Sequence, residues 1–87
     1  MNLNKNWQII ITNLASKSLR KIPQFHQIER VINQMEINPF VGDIKKLKGI
    51  ENVWRRRIGN YRIIFEIFSQ EKIIYIYDIQ RRGSKSY

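Results

Sequence analysis

Three consecutive arginines, Arg55, Arg56 and Arg57, a fourth at Arg62, and an Arg81-Arg82 pair followed by Lys85 and Tyr87 are the residues of this 87-residue chain best suited to chemistry. A guanidinium stays charged at any physiological pH and presents a planar fork that grips two phosphate oxygens at once. Strand alternation sends Arg55 and Arg57 to one face and Trp54, Arg56 and Ile58 to the other. In the next run, Tyr61, Ile63, Phe65 and Ile67 make an almost purely apolar row, which leaves Arg62, Ile64, Glu66 and Phe68 on an open face. Lys45, Lys46 and Lys48 precede these segments. Where such segments converge, cations sit beside an aromatic ring, the combination that pairs with phosphates and stacks on an unpaired RNA base.

The simpler reading of each lysine is that it keeps a strand edge soluble and discourages edge-to-edge pairing. Arginines gathered on one sheet face are harder to explain that way, because like charges opposite one another across strands cost stability. Function is therefore assigned to Arg55, Arg57, Arg62 and Arg82. His26, beside Phe25 and far from the basic half, reads as an ordinary surface or boundary histidine. Trp7 and Trp54 suit strand packing, and Asp78 and Glu66 lack the partners of a metal site. No metal or other cofactor is expected.

The elements that must position these residues are legible in outline. Trp7–Thr12 reads as a first strand, rich in β-branched and aromatic residues. Thr12 or Asn13 then caps a helix with Ala15, Leu19 and Ile22 on one side. Pro23 suits the first turn of a second helix whose apolar stripe is Phe25, Ile28, Ile32 and Met35, ending at Asn38-Pro39. Val53–Ile58, Tyr61–Phe68 and Lys72–Arg81 follow as three strands, joined by Gly59-Asn60, a hairpin signal, and by Ser69-Gln70-Glu71. Short connections make them an antiparallel meander, with the first strand pairing at an edge or in the middle. The expectation is one α+β domain over residues 1–87, a helical hairpin packed on an antiparallel sheet in the order β-α-α-β-β-β.

Sixteen Lys/Arg against seven Asp/Glu give a net charge of +9, of which residues 45–87 carry +7. A surface of that sign suits a polyanion, with nucleic acid ahead of an anionic membrane or an acidic protein. A 43% hydrophobic content with 26% charged residues excludes wholesale disorder. With no cysteine and one histidine, a disulfide framework, thiolate catalysis and a sulfur-bound zinc site are excluded. No apolar run approaches the ~20 residues of a membrane-spanning helix, nor does the N-terminus read as a signal peptide. A cytoplasmic location without membrane attachment is expected.

The stretches Leu47-Lys48-Gly49, Trp54-Arg55-Arg56-Arg57, Gly59-Asn60-Tyr61-Arg62 and Arg81-Arg82 through to Tyr87 together resemble the RelE/ParE superfamily of toxins of type II toxin–antitoxin systems, most closely its RelE branch. The resemblance covers nearly the whole chain, and the predicted order of elements is similar to that family's. It implies a toxin that enters the ribosomal A site and cuts messenger RNA, silenced by an antitoxin that wraps it in a hetero-oligomeric complex. Carried over by position, the site residues are Arg55, Arg57, Arg62, Arg82 or Arg81, and Tyr87, with Lys45, Lys46, Lys48, Arg81 and Lys85 contacting RNA. Two departures stand out: Gln80 occupies the position where many relatives carry histidine, and Lys45 and Lys46 stand where some carry a carboxylate. A His–Glu acid–base pair is thus absent.

Metal-free RNA cleavage needs the 2′-OH to attack its neighbouring phosphate, charge stabilisation on the phosphoryl oxygens, and a proton for the leaving 5′-oxygen. Arg55, Arg57 and Arg62 meet the charge requirement, and Arg82 is placed nearest the leaving oxygen. Tyr87 is read as a stacking ring, and Glu66 as a candidate base. Without a strong base, such a site gains most from a substrate held in the reactive geometry, as a ribosome would hold it. The competing readings are a ParE-like inhibitor of DNA gyrase and an inactive relative that binds RNA or an antitoxin. An acidic, partly disordered antitoxin segment suits the +9 surface.

Overall fold

The structure is a computed structural model, and it describes residues 7–81. Ile9 and Ile10 anchor the half-buried middle of β1 (Gln8–Ile11). The chain then turns at Thr12, whose extended backbone and Oγ1, accepting from the Ala15 N–H at 3.1 Å, cap α1 (Asn13–Arg20). Helix α2 (Phe25–Met35) starts two residues after Pro23. Its buried face is Ile28, Val31, Ile32 and Met35; Phe25, at the first helical position, is 36% exposed and lies 4.0 Å from the His26 ring instead of in the core. Val31 therefore takes the place expected of Phe25.

Five strands follow the order β1-β5-β4-β3-β2, with β2 (Ile44–Lys46), β3 (Val53–Ile58), β4 (Tyr61–Phe68) and β5 (Ile73–Arg81). The meander β3-β4-β5 is antiparallel as the short connections require. Two features extend the expected sheet. Strand β1 lies on the edge and runs parallel to β5, so the sheet is mixed. Strand β2, three residues without apolar alternation, forms the opposite edge by pairing with β3.

Gly59 takes the positive φ (56°) that the first position of a two-residue hairpin turn favours, while Ile58 pairs with Tyr61 across it. Lys72 also has positive φ (58°), which closes the next turn and delays β5 to Ile73; its ammonium rests 4.8 Å from the centre of the Trp7 ring. Both helices cover one sheet face. There Ile58, Ile63, Phe65, Ile67, Ile74, Ile76 and Ile79 meet Ala15, Ile22, Ile28, Val31, Ile32 and Met35, with Trp7, Leu19, Trp54 and Tyr61 at the margin. Among the described residues no helix is long and apolar enough to cross a membrane.

The last strand does not alternate evenly. Phe65 and Ile64 are adjacent in β4, but their partners Ile76 and Asp78 are two apart, so Tyr77 is the extra residue of a β-bulge. Without it, Asp78 would follow Ile74 and Ile76 into the core. The bulge instead returns Ile79 to the core (4% exposed) and turns Asp78 and Gln80 to the open face.

Candidate nucleic-acid interface

Register on the open face sorts its residues into rows. One row reads Arg57–Arg62–Gln80 across β3, β4 and β5, and the next reads Lys45–Arg55–Ile64–Asp78 from β2 to β5. Four of the residues singled out in the sequence, Lys45, Arg55, Arg57 and Arg62, thus share one patch. Others do not join it. Lys46 pairs with Trp54, and Arg81 with Tyr61, on the helix side of the sheet. Lys48 lies in the turn between β2 and β3. Arg82, Lys85 and Tyr87 lie outside the described residues.

The arginines differ in how they are held. Arg55 Nη1 faces Asp43, 3.5 Å from Oδ1 and 3.4 Å from the main-chain oxygen, and its side chain is 13% exposed. Arg56, on the helix side, donates through Nη1 to the Val41 carbonyl at 2.9 Å. Its guanidinium lies against Gly42, where a Cβ would come within 2.3 Å of Cζ and where φ is 95°. Arg56 and Arg57 each have a buried Nε with no hydrogen-bond partner among the described residues, and only that of Arg57 lies on the open face. Arg62, directly opposite Arg57, donates Nε to Gln80 Oε1 at 3.1 Å, and neither of its Nη groups has a protein partner among those residues.

A chain of hydrogen bonds backs Arg62. Gln80 Nε2 donates to Asp78 Oδ2 at 3.4 Å, and Asp78 Oδ1 accepts from Ser18 Oγ of α1 at 2.9 Å and from the Ile79 N–H at 2.8 Å. The amide of Gln80 therefore stands between the guanidinium and the carboxylate. It orients Arg62 without neutralising it, as a direct ion pair with Asp78 would. Sequence reading missed Ser18, Asp78 and Gln80 because simple alternation places Asp78 on the wrong face. The signal was present in the spacing of Ile74, Ile76 and Ile79, which lengthens from two residues to three.

Glu66, a candidate base, accepts a hydrogen bond from the Tyr77 hydroxyl. That bond, followed by burial and the Glu66 charge, pushes the Tyr77 phenol up to about 12. One carboxylate oxygen is thereby engaged two rows away from Arg62. His26 is a surface residue, its side chain 77% exposed and 3.7 Å from Glu29.

The patch joins two opposed guanidinium groups with unfilled donors to a flanking lysine, an arrangement fitted to an anion with several oxygens. Residues 9–85 match the family model described as "ParE toxin of type II toxin-antitoxin system, parDE". The chain belongs to the RelE/ParE superfamily of type II toxins. Toxin RelE3 of Methanocaldococcus jannaschii is 38% identical over 60 residues, 69% of this chain and 67% of that protein. The toxin fold is also that of solved structures. The archaeal RelE–RelB complex from Pyrococcus horikoshii OT3 superposes with a TM-score of 0.79 at 24% identity, covering 91% of this chain and 98% of that one. The RelB–RelE antitoxin–toxin complex from Methanococcus jannaschii gives 0.61 at 28% identity, covering 83% and 88%. Two helices on a five-stranded sheet are what this RelE/ParE member shares with them.

Proposed function

We propose that this toxin is a metal-independent endoribonuclease that cleaves messenger RNA in the ribosomal A site. The observation that carries the reading is the opposition of Arg57 and Arg62 across β3 and β4, with the Arg57 Nε buried and unpartnered and both Arg62 Nη groups unpaired among the described residues. Two like charges held face to face destabilise the free protein and favour an anion between them. A phosphodiester supplies that anion, and its non-bridging oxygens match two planar forks.

In the proposed reaction the 2′-OH gives up its proton to water and attacks the adjacent phosphorus, the O2′–P bond forms, the P–O5′ bond breaks, and the leaving O5′ takes up a proton, which yields a 2′,3′-cyclic phosphate and a 5′-OH. Charge grows on the phosphoryl oxygens during the attack, and Arg57 and Arg62 stabilise it more in the transition state than in the bound substrate. Arg55, tied to Asp43, and Lys45 attract the backbone rather than touch the reacting group. Arg82 and Tyr87 keep their expected roles beside the leaving oxygen and on a base, and Lys46, Lys48, Arg81 and Lys85 supply charge to the wider RNA path. With Glu66 bonded to Tyr77 and glutamine at position 80, strong general base catalysis is lacking, which favours a substrate aligned by the ribosome.

An acidic antitoxin is the proposed inhibitor. The +9 charge supports this, as does the fact that the relatives from P. horikoshii and M. jannaschii were solved in complexes with RelB. A cytoplasmic location goes with a ribosomal target.

Mapping messenger 5′ ends in a translating extract tests the reading, with naked RNA and Arg62→Ala as controls. New ends at ribosome-occupied codons, absent from both controls, support it. Intact messenger together with inhibited DNA supercoiling by gyrase would establish the activity that the ParE name of the family model carries.

A further inference from the structure

Beyond the arginine rows the open face changes from cations to rings. Tyr75 and Tyr77 project from β5 with ring centroids 5.4 Å apart and planes 15° from parallel, and Phe68 of β4 lies 6.2 Å from Tyr75. The bulge sets this up, because Tyr77 is the residue it adds. Tyr77 is 37% exposed, and its hydroxyl is fixed by Glu66. A ring tied at its tip and backed by a second ring has lost its rotamer freedom before a ligand arrives, so binding costs little further side-chain entropy.

The position of the stack matters as much as its form. Tyr77 is one strand away from Arg62 and between two and three residue steps along, about 10 Å by strand spacings. The base of a nucleotide near the phosphate on Arg57 and Arg62 can reach that ring. The carboxylates on this face have bonded oxygens, Asp43 to Arg55, Glu66 to Tyr77 and Asp78 to Ser18 and Gln80, which softens their repulsion of a passing polyanion. Rings beside Lys45, Arg55, Arg57 and Arg62 suit a single-stranded nucleic acid better than an apolar helix, which would strand those charges at its contact.

We propose that the Tyr75–Tyr77 stack is a second base-stacking site, taking an unpaired nucleobase of the RNA strand whose phosphate lies on Arg57 and Arg62. It rests on RNA being the polyanion this face receives, and it is separate from the stacking role expected of Tyr87.

The test uses the full chain at low salt and short single-stranded RNAs carrying the fluorescent base 2-aminopurine at each position in turn. The expected result is quenching at one position by the unaltered protein and by Tyr77→Phe, which keeps the ring and loses the Glu66 bond. Tyr77→Leu should lose that quenching and bind roughly 5- to 150-fold more weakly. An abasic nucleotide at the quenched position asks the same question of the unaltered protein, so a Tyr77→Leu chain that fails to fold leaves the test intact. Base removal without loss of affinity overturns the stacking site. If the protein cleaves messenger in the extract while base removal has no effect, the stacking site alone falls; if it binds no RNA at all, the site and the RNA reading fall together.

Discussion

Arg56 and Arg57 are neighbours in one strand and belong to different molecules in all but covalent terms. On the helix-covered side, Arg56 bonds the Val41 carbonyl and packs on Gly42. On the open side, Arg57 faces Arg62 with no carbonyl to receive it among the described residues, although the Nε of both Arg56 and Arg57 is buried without a hydrogen-bond partner there. The two faces of the sheet repeat this contrast. One is packed within the protein, with Ile63, Phe65, Ile74 and Ile76 all fully buried; the other uses its polar groups to orient charges it does not neutralise. Residue type alone therefore says little about role here, and the side of the strand says most.

The covered face is broken most severely by Phe65→Ala. Phe65 is 0% exposed and central, and its truncation should cost about 3–5 kcal/mol, read as a lower denaturant midpoint with an unchanged slope. Activity should fall only in proportion to the unfolded fraction. The open face should behave in the opposite way. Arg62→Ala should cut cleavage about 10²–10³-fold, the usual loss for one preorganised donor to a developing oxyanion, while stability changes by less than about 1 kcal/mol. Antitoxin affinity should be largely kept. A stable Arg62→Ala protein that still cleaves removes Arg62 from the site.

Next in size is Gly42→Ala, which tests whether Arg56 serves packing on the covered side. The new Cβ would displace the Arg56 guanidinium, and φ of 95° adds backbone strain of about 1–2 kcal/mol. Thermal unfolding should shift downward with cleavage per folded molecule unchanged.

Much of this contrast was legible in the sequence because its causes are local. Period-two alternation separates Arg55, Arg57 and Arg62 from Ile63 and Phe65 wherever the strands run regularly, and Thr12 and Gly59 act within a few residues. What was not legible depends on distant pairing. Strand β2 owes its existence to the backbone of β3, and β1 is parallel only because it meets β5, more than sixty residues away. The bulge at Tyr77 inverts the face of everything after it, so Asp78 and Gln80 could not be joined to Arg62 by counting in twos. The supporting bonds of the site were hidden where the rule that revealed its arginines fails.

Gln80 sharpens the comparison further, since it touches the open face's charge without sharing it. Gln80→Ala removes the acceptor for Arg62 Nε, and cleavage should drop about tenfold, the worth of one hydrogen bond to a charged group. Gln80→Glu keeps an acceptor there but adds a negative charge, and it should weaken RNA binding as well as turnover. If the glutamate restored full activity, orientation alone would matter and the neutrality of the amide would not.

The smallest effect is expected at the aromatic end of the same face, and pH reads it. The Tyr77 phenol is held protonated by its bond to Glu66, so its ionisation is pushed from 10.0 to about 12. A group whose neutral form is favoured by folding contributes stability in full below its ordinary value and loses it as the pH rises through the folded one. The stability difference between the protein and Tyr77→Phe should therefore be constant below about pH 10 and shrink between 10 and 12. Tyrosinate absorbance gives the direct readout, since the variant should lack the component that titrates near 12. Were the protein and Tyr77→Phe to show no difference near pH 12, the tie to Glu66 would be absent in solution, and the open face would present its rings loosely while its arginines remained fixed.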